Sequence, residues 1–175
     1  ADMLREWASE LDVISVNALE KSIATTEYQY IVAAGVLEYS REPAKMLSLL
    51  REKLKPGGKL LLGADNRLGI RYFCGDRDRF TDRNFDGIEN YARLTAADRA
   101  QIIGRAYAKA EIAAFLQEAG FEQYRFYSVF PVLERPQVIY AEGYLPREKP
   151  DIRIAPQYYE PSTVFLEEAK LYSTL

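Results

Sequence analysis

"YQYIVAAGVLEYSREPAKMLSLLREKLKPGGKLLLGADNR", residues 28–67, decides the fold. Two nearly continuous apolar runs, Tyr30–Ala34 and Lys59–Ala64, flank a stretch of helical periodicity. In that stretch Met46, Leu47, Leu50 and Leu54 recur at the spacing of one helix face, and Lys45, Arg51, Glu52 and Lys53 take the other. Ser40 offers a cap and Pro43 fits the first turn. Pro56 cannot continue a helix, and Gly57 or Gly58 is suited to a left-handed cap. Strand, helix, strand with short connections makes a βαβ unit and hence a parallel pair. Unbroken apolar strands predict burial on both faces. Both carboxyl ends, Gly35–Tyr39 and Ala64–Arg67, then face one edge of the sheet, where open α/β sheets hold their ligands.

Upstream, "ADMLREWASE" has the spacing of a helix along Met3, Leu4, Trp7, Ala8 and Leu11, with no cap before it. This leads to the expectation that the natural protein extends further upstream. "LDVISVNA" reads as a short strand over 11–17. Downstream, residues 65–94 are irregular, with Arg67, Arg71, Arg77, Arg79 and Arg83 interleaved among Asp65, Asp76, Asp78, Asp82 and Asp86. A loop of this length in a compact domain points to a lid or a binding loop. Residues 95–121 read as helix in two pieces broken near Gly104, with a core stripe of Ile112, Phe115, Leu116 and Ala119 and a stop at Gly120. Two strands over about 122–130 and 136–142, joined by a short link, predict an antiparallel pair. The chain thus divides into an α/β domain over 1–145 and an extension over 146–175, loop and then a helix capped at Ser162 or Thr163. That helix has no clear stop, so the parent chain is expected to continue there too.

The composition narrows the chemistry. The 175 residues suffice for one domain with a real core. A net charge of −3 argues against a large nucleic-acid footprint. No apolar run approaches the ~20 residues of a membrane span, and no signal peptide opens the chain, so a cytoplasmic location with no membrane contact is expected. With no histidine, neither Ser-His-Asp nor Cys-His catalysis is available within the chain. The lone cysteine, Cys74, excludes an internal disulfide and reads as a small buried hydrophobe. No metal site is expected. Carboxylates, Tyr, Lys, Arg or a bound cofactor must carry any reaction.

The ordered set "YIVAAGVLEY", a helix ending in "LKPGG", the strand "KLLLGA", and "EAGF" before a final strand pair resembles the C-terminal two-thirds of class I S-adenosylmethionine-dependent methyltransferases. The resemblance covers about residues 11–142. It implies a Rossmann-like sheet, mostly parallel with an antiparallel C-terminal strand pair. The family's glycine-rich cofactor motif, of the type "DxGxGxG", has no counterpart here, so the N-terminal β-α-β segment is expected to be missing. Strand 11–17 then stands for the family's third strand.

The resemblance implies a transferase that moves a methyl group from S-adenosylmethionine to a small-molecule or glycan acceptor, impaired in this truncated chain. It places Asn17, Ala18, Ala34, Gly35 and Val36 against the cofactor, with weak or absent cofactor binding because the glycine loop is lacking. Glu38, Asp65 and Tyr39 are the candidate bases, and Asn66, Arg67 and Arg71 the substrate contacts. Asp65 and Asn66 are equally good turn formers. Arg67 and Arg71 either grip an anionic group in bidentate fashion or pair with loop aspartates. The expected partners are a small-molecule substrate and a second copy of the chain, paired through an apolar sheet edge that the missing strands leave open. The alternative reading is a non-catalytic interaction module or remnant that keeps the sheet as a scaffold. A nucleotide-sugar enzyme of similar shape is a weaker third, since it too needs a phosphate loop.

Overall fold

The computed structural model describes Asp12 and residues 27–143. The expected helix over 1–11, strand 11–17 with Asn17 and Ala18, and the extension over 146–175 lie outside the described residues. The elements are β1 (Tyr28–Ala34), a 3-10 turn (Leu37–Tyr39), α1 (Pro43–Glu52), β2 (Leu54–Gly63), α2 (Ile70–Phe73), α3 (Ala96–Gln101), α4 (Lys109–Glu118), β3 (Tyr127–Val132) and β4 (Arg135–Ala141). The architecture is mixed α/β: β1 and β2 form a parallel pair, β3 and β4 an antiparallel one. Among the described residues no helix is long and apolar enough to cross a membrane.

The strand-helix-strand reading of residues 28–67 holds, with its internal boundaries moved. Helix α1 closes at Glu52 and the chain enters β2 at Leu54. "KPGG" is therefore a bulge in β2, not a helix cap. Tyr28 lies opposite Leu54 but Tyr30 opposite Lys59, so the extra length of β2 loops out between these pairs. Two glycines make this fit: Gly57 sits at φ +76°, and a Cβ on Gly58 would stand 2.9 Å from the Lys55 carbonyl oxygen and 3.0 Å from that of Tyr28. Ser40 does not cap α1 either. Glu42 holds the cap position, and Ser40 Oγ accepts the Glu42 N–H at 3.2 Å, turning the chain so that Pro43 enters at the first helical position.

Helices α1 and α4 pack together over one face of the parallel pair. Met46, Leu47 and Leu50 of α1 meet Ile112, Leu116 and Ala119 of α4, with Ala33, Leu37 and Tyr107 closing the cluster. Phe115, Leu60 and Leu62 pack on its margin. The predicted stripes thus supply the core, except that Leu54, expected as the last residue of the first stripe, opens β2 instead and lies outside the cluster. Burial of the sheet on both faces is not observed. Ile31 and Ala33 turn toward the core, whereas Tyr30 and Val32 are 61% and 72% exposed and Leu61 is exposed beside them. Side chains alternate across a strand, and the described helices cover only one of its two sides.

Residues 65–94 are irregular as expected, apart from the single turn α2, a parallel bridge between Asn66 and Tyr107 and an antiparallel bridge between Arg77 and Asn84. Helices α3 and α4 are separate pieces, divided at Ile102–Ala108 around Gly104. A threonine cap starts α3: Thr95 Oγ1 accepts the Asp98 N–H at 3.2 Å while Asp98 Oδ2 accepts the Thr95 N–H at 2.9 Å. Gly120, at φ +84°, ends α4 and lets Phe121 donate its N–H to Leu116. Strand β3 begins only at Tyr127, and Leu133 and Glu134 alone make the turn into β4. An open groove of about 1840 Å³ lies along β2, lined by Leu60, Leu62, Ile112, Leu116 and Phe126 and reaching Asp65.

Candidate functional site

The carboxyl edge of the parallel pair is built by two turns. At the end of β1, Gly35 takes φ +63° and donates its N–H to the Gly63 carbonyl at 2.8 Å. This folds Val36 into the 3-10 turn, which drives Leu37 into the core and leaves Tyr39 partly exposed. Between them Glu38, a charged residue type, is only 1% exposed. At the end of β2 the chain passes through Ala64 to Asp65, whose backbone N–H reaches Glu38 Oε1 at 2.7 Å. Two of the three candidate bases are thus joined directly.

Glu38 is half satisfied. Oε1 has the Asp65 amide, and the Glu38 carbonyl accepts the Arg105 N–H at 2.9 Å, but Oε2 is buried with no hydrogen-bond partner. Burial pushes the Glu38 carboxyl above the usual carboxylate range. The Asp65 amide and Arg79 pull against that shift, and the Asp65 charge adds to it. The segment around Phe80 and Gly104 closes the outside: a Cβ on Gly104 would stand 2.6 Å from the Glu38 carbonyl oxygen and 2.7 Å from the Phe80 ring. Only glycine fits between them.

Asp65 is bound by Arg79, whose Nη1 lies 3.0 Å from Asp65 Oδ2 and 3.6 Å from Glu134 on the β3–β4 turn. Burial works against the Arg79 charge, but the hydrogen bond to Asp65 and the Asp65 carboxylate outweigh it and raise its pKa. The guanidinium lies 5.7 Å from the Phe80 ring, and Phe80 meets Tyr39 edge to face at 5.6 Å. Glu38, Tyr39 and Asp65 therefore share one small region, roofed by a loop residue pair, Arg79 and Phe80, that sequence reasoning did not single out.

The expected substrate contacts divide differently. Asn66 is exposed and makes a turn, its Oδ1 accepting the Leu68 N–H at 3.0 Å. Arg67 is only 14% exposed and is held from three sides: Nε donates to Glu111 at 2.7 Å, and Nη1 donates to the Gly87 and Ile88 carbonyls at 3.2 Å. Arg71 binds Asp76 through Nε at 2.6 Å, with Nη2 also in contact. Arg71 thus takes the expected pairing with a loop aspartate, whereas Arg67 is held by a glutamate of α4 and by backbone carbonyls instead. Of the expected cofactor wall, Ala34, Gly35 and Val36 do reach this edge, and nothing lies within 4 Å of where a Gly35 Cβ would stand. Asn17 and Ala18 lie outside the described residues.

A second buried cluster fixes the loop. Asp78, 3% exposed, accepts the Phe80 N–H at 2.9 Å, the Thr81 N–H at 3.1 Å and the Tyr91 hydroxyl at 2.8 Å. The Tyr91 oxygen in turn accepts the Ala106 N–H at 2.8 Å. Burial pushes the Tyr91 phenol far above its ordinary value. Tyr91 sits at φ +58°, a left-handed conformation rare for a bulky residue. Glu111 completes the support, binding Arg67, Arg105 and the Ala108 N–H at the start of α4. The alternating Arg and Asp pattern signalled pairing in this loop but not that Asp78 and Asp86 would be the buried ones.

The fit to S-adenosylmethionine is one-sided: an open backbone at Gly35 and an unsatisfied carboxyl at Glu38 are present, and a glycine-rich loop is not in the sequence. Comparison with known proteins adds no assignment: no family model matches this chain, and no curated protein matches it.

Proposed function

We propose that the chain is a class I methyltransferase-like α/β domain, of Rossmann-like topology, whose carboxyl edge takes S-adenosylmethionine and a small-molecule or glycan acceptor. The observation that carries this reading is the direct bond between Glu38 and Asp65 at the carboxyl ends of a parallel pair, where open α/β sheets bind ligands. S-adenosylmethionine supplies a methyl group on a sulfonium that a nucleophile displaces in line, a reaction governed mainly by positioning. In this chain Ala34, Gly35 and Val36 form the cofactor wall, Glu38 holds or accepts a proton, Asp65 orients Glu38 through its amide, and Tyr39 borders the acceptor. Without a glycine loop the grip on the cofactor is weak. Calorimetric titration with S-adenosylmethionine tests this. The expected result is weak, saturable heat that is lost in Gly35→Val. Folded protein that gives no heat rejects the reading for this chain.

A second reading, a non-catalytic interaction module, is favoured by one observation: Tyr30, Val32 and Leu61 are exposed together on the sheet. Here β1 and its uncovered face pair with a second copy of the chain. Sedimentation velocity of wild type against Val32→Glu tests it. A concentration-dependent dimer that Val32→Glu dissociates supports it, and a strict monomer rejects it.

A further inference from the structure

The arginines near the carboxyl edge are already engaged by acidic groups. Arg67 and Arg105 bind Glu111, Arg71 binds Asp76, and Arg79 binds Asp65 with Glu134 close by. An incoming phosphate or carboxylate would have to displace one of these partners, and at Arg79 it would meet Asp65 and Glu134. The unmet demand at this edge is of the opposite kind. Glu38 Oε2 is buried, and as a carboxylate oxygen it lacks a donor. Buried side-chain atoms on Asp86 and Arg105 also lack a hydrogen-bond partner among the described residues, but Glu38 belongs to the turns that close β1 and β2. Leaving such an oxygen dry is unfavourable, and a ligand group that donates to it recovers that loss.

We propose that the ligand of this site presents a hydrogen-bond donor, a hydroxyl or an ammonium group, to Glu38 Oε2, and that the site rejects oxyanions. Entry to Glu38 requires the Phe80 segment to move outward. Its ion pairs to the rest of the chain suit this: Arg83–Asp98 and Arg79–Glu134 lie at the surface and exchange readily with water, and the half-exposed Arg79–Asp65 pair opens with them. Asp65 stays in place as the fixed partner of Oε1. The inference rests on the same edge as the proposed function but not on methyl transfer. S-adenosylmethionine failing to bind leaves it standing, and its own failure leaves cofactor binding untouched.

The test follows the Asp65 amide, the direct neighbour of Glu38, by nuclear magnetic resonance of the labelled full chain. Methyl glucoside probes hydroxyl donors, putrescine probes ammonium donors, and inorganic phosphate and acetate probe oxyanions. At least one of the first two is expected to shift the Asp65 amide saturably, and neither oxyanion is. In Glu38→Gln the Asp65 amide still fixes Oε1, so Nε2 replaces the vacant acceptor with a donor. The donor-induced shift should disappear and an oxyanion shift should emerge. An oxyanion that shifts the wild-type amide, a donor shift that survives unchanged in Glu38→Gln, or no shift with any probe overturns the proposal. The wild-type arms stand without the variant if Glu38→Gln does not fold.

Discussion

Asp65 donates its backbone N–H to Glu38 Oε1 at 2.7 Å, linking the turn after β1 to the first residues after β2. The bond positions one oxygen of a buried carboxyl and leaves the other without a partner. An ionised carboxylate in that state is held against its solvation preference, which is why burial raises its pKa. The same arrangement that makes Glu38 chemically interesting makes it a liability to folding.

The pH dependence of stability should expose this. Because the folded-state pKa of Glu38 is raised above its unfolded value, the folded state binds that proton more tightly. Ionised Glu38 therefore subtracts stability above its folded pKa, and the penalty fades as pH falls through that value. Glu38→Gln has no such term. Urea unfolding from about pH 7.5 down to about pH 4.5 should show wild type gaining on Glu38→Gln as the pH falls. Parallel curves would mean that Glu38 titrates normally.

Arg67 gives a prediction that separates binding from architecture. Its three donor contacts to Glu111, Gly87 and Ile88 need the planar guanidinium, and a lysine ammonium cannot reproduce them. Arg67→Lys should destabilise the chain by about 1–3 kcal/mol in urea unfolding at neutral pH. An arginine kept for a ligand would tolerate the change. Burial works against the Glu111 charge, but Arg67, the Ala108 N–H and Arg105 outweigh it and hold the folded pKa below the ordinary value. Its contribution is thus present above the unfolded pKa and lost as pH falls through the folded one. The penalty of Arg67→Lys should shrink in acid.

Tyr91→Phe tests the loop's buried support. The hydroxyl both donates to Asp78 and accepts from Ala106, so its removal leaves a buried carboxylate oxygen and a buried N–H short of a partner. A loss of about 1–3 kcal/mol is expected, read as a fall in the urea midpoint. Amide exchange at Ala106 should speed up. Unchanged exchange there would show that the Tyr91 hydroxyl does not hold the loop.

What was legible in the sequence follows from the range of the forces involved. The βαβ unit announced itself because Met46, Leu47 and Leu50 share a helix face and Tyr30–Ala34 form an apolar run, both local patterns. The bulge at "KPGG" was not, because Pro56 and the glycines signal a stop in either a helix or a strand, and only the pairing of Tyr30 with Lys59 decides. Burial on one face was missed because an apolar run does not say whether a helix lies on each side. In the site, Glu38 and Asp65 were named from their position at strand ends. Phe80 was not named and Arg79 appeared only as one of five loop arginines, since their approach to Asp65 and Tyr39 depends on a turn pinned by Asp78. The pairing of Arg71 with a loop aspartate was visible because Asp76 is five residues away, but the partner of Arg67 was not, since Glu111 lies 44 residues along the chain.

The most local of these dependences is at Gly104, where the roof meets the turn beneath it. A methyl group there would stand 2.6 Å from the Glu38 carbonyl oxygen and 2.7 Å from the Phe80 ring, distances that demand displacement of backbone or ring. The neighbouring Arg105 N–H to Glu38 carbonyl bond, at 2.9 Å, is the contact that this displacement should break first. Gly104→Ala should therefore cost about 1–3 kcal/mol, in the range of overpacking, and should raise amide exchange at Arg105 by more than the global loss accounts for. Gly143→Ala provides the control, since no heavy atom lies within 4 Å of its Cβ position and its φ is not left-handed. Equal stability of the two variants, with Arg105 still protected in Gly104→Ala, would show that the Phe80 segment does not rest on Glu38. A selective opening at Arg105 would show that the cover over Glu38 moves as a local unit, as ligand entry to its buried carboxyl requires.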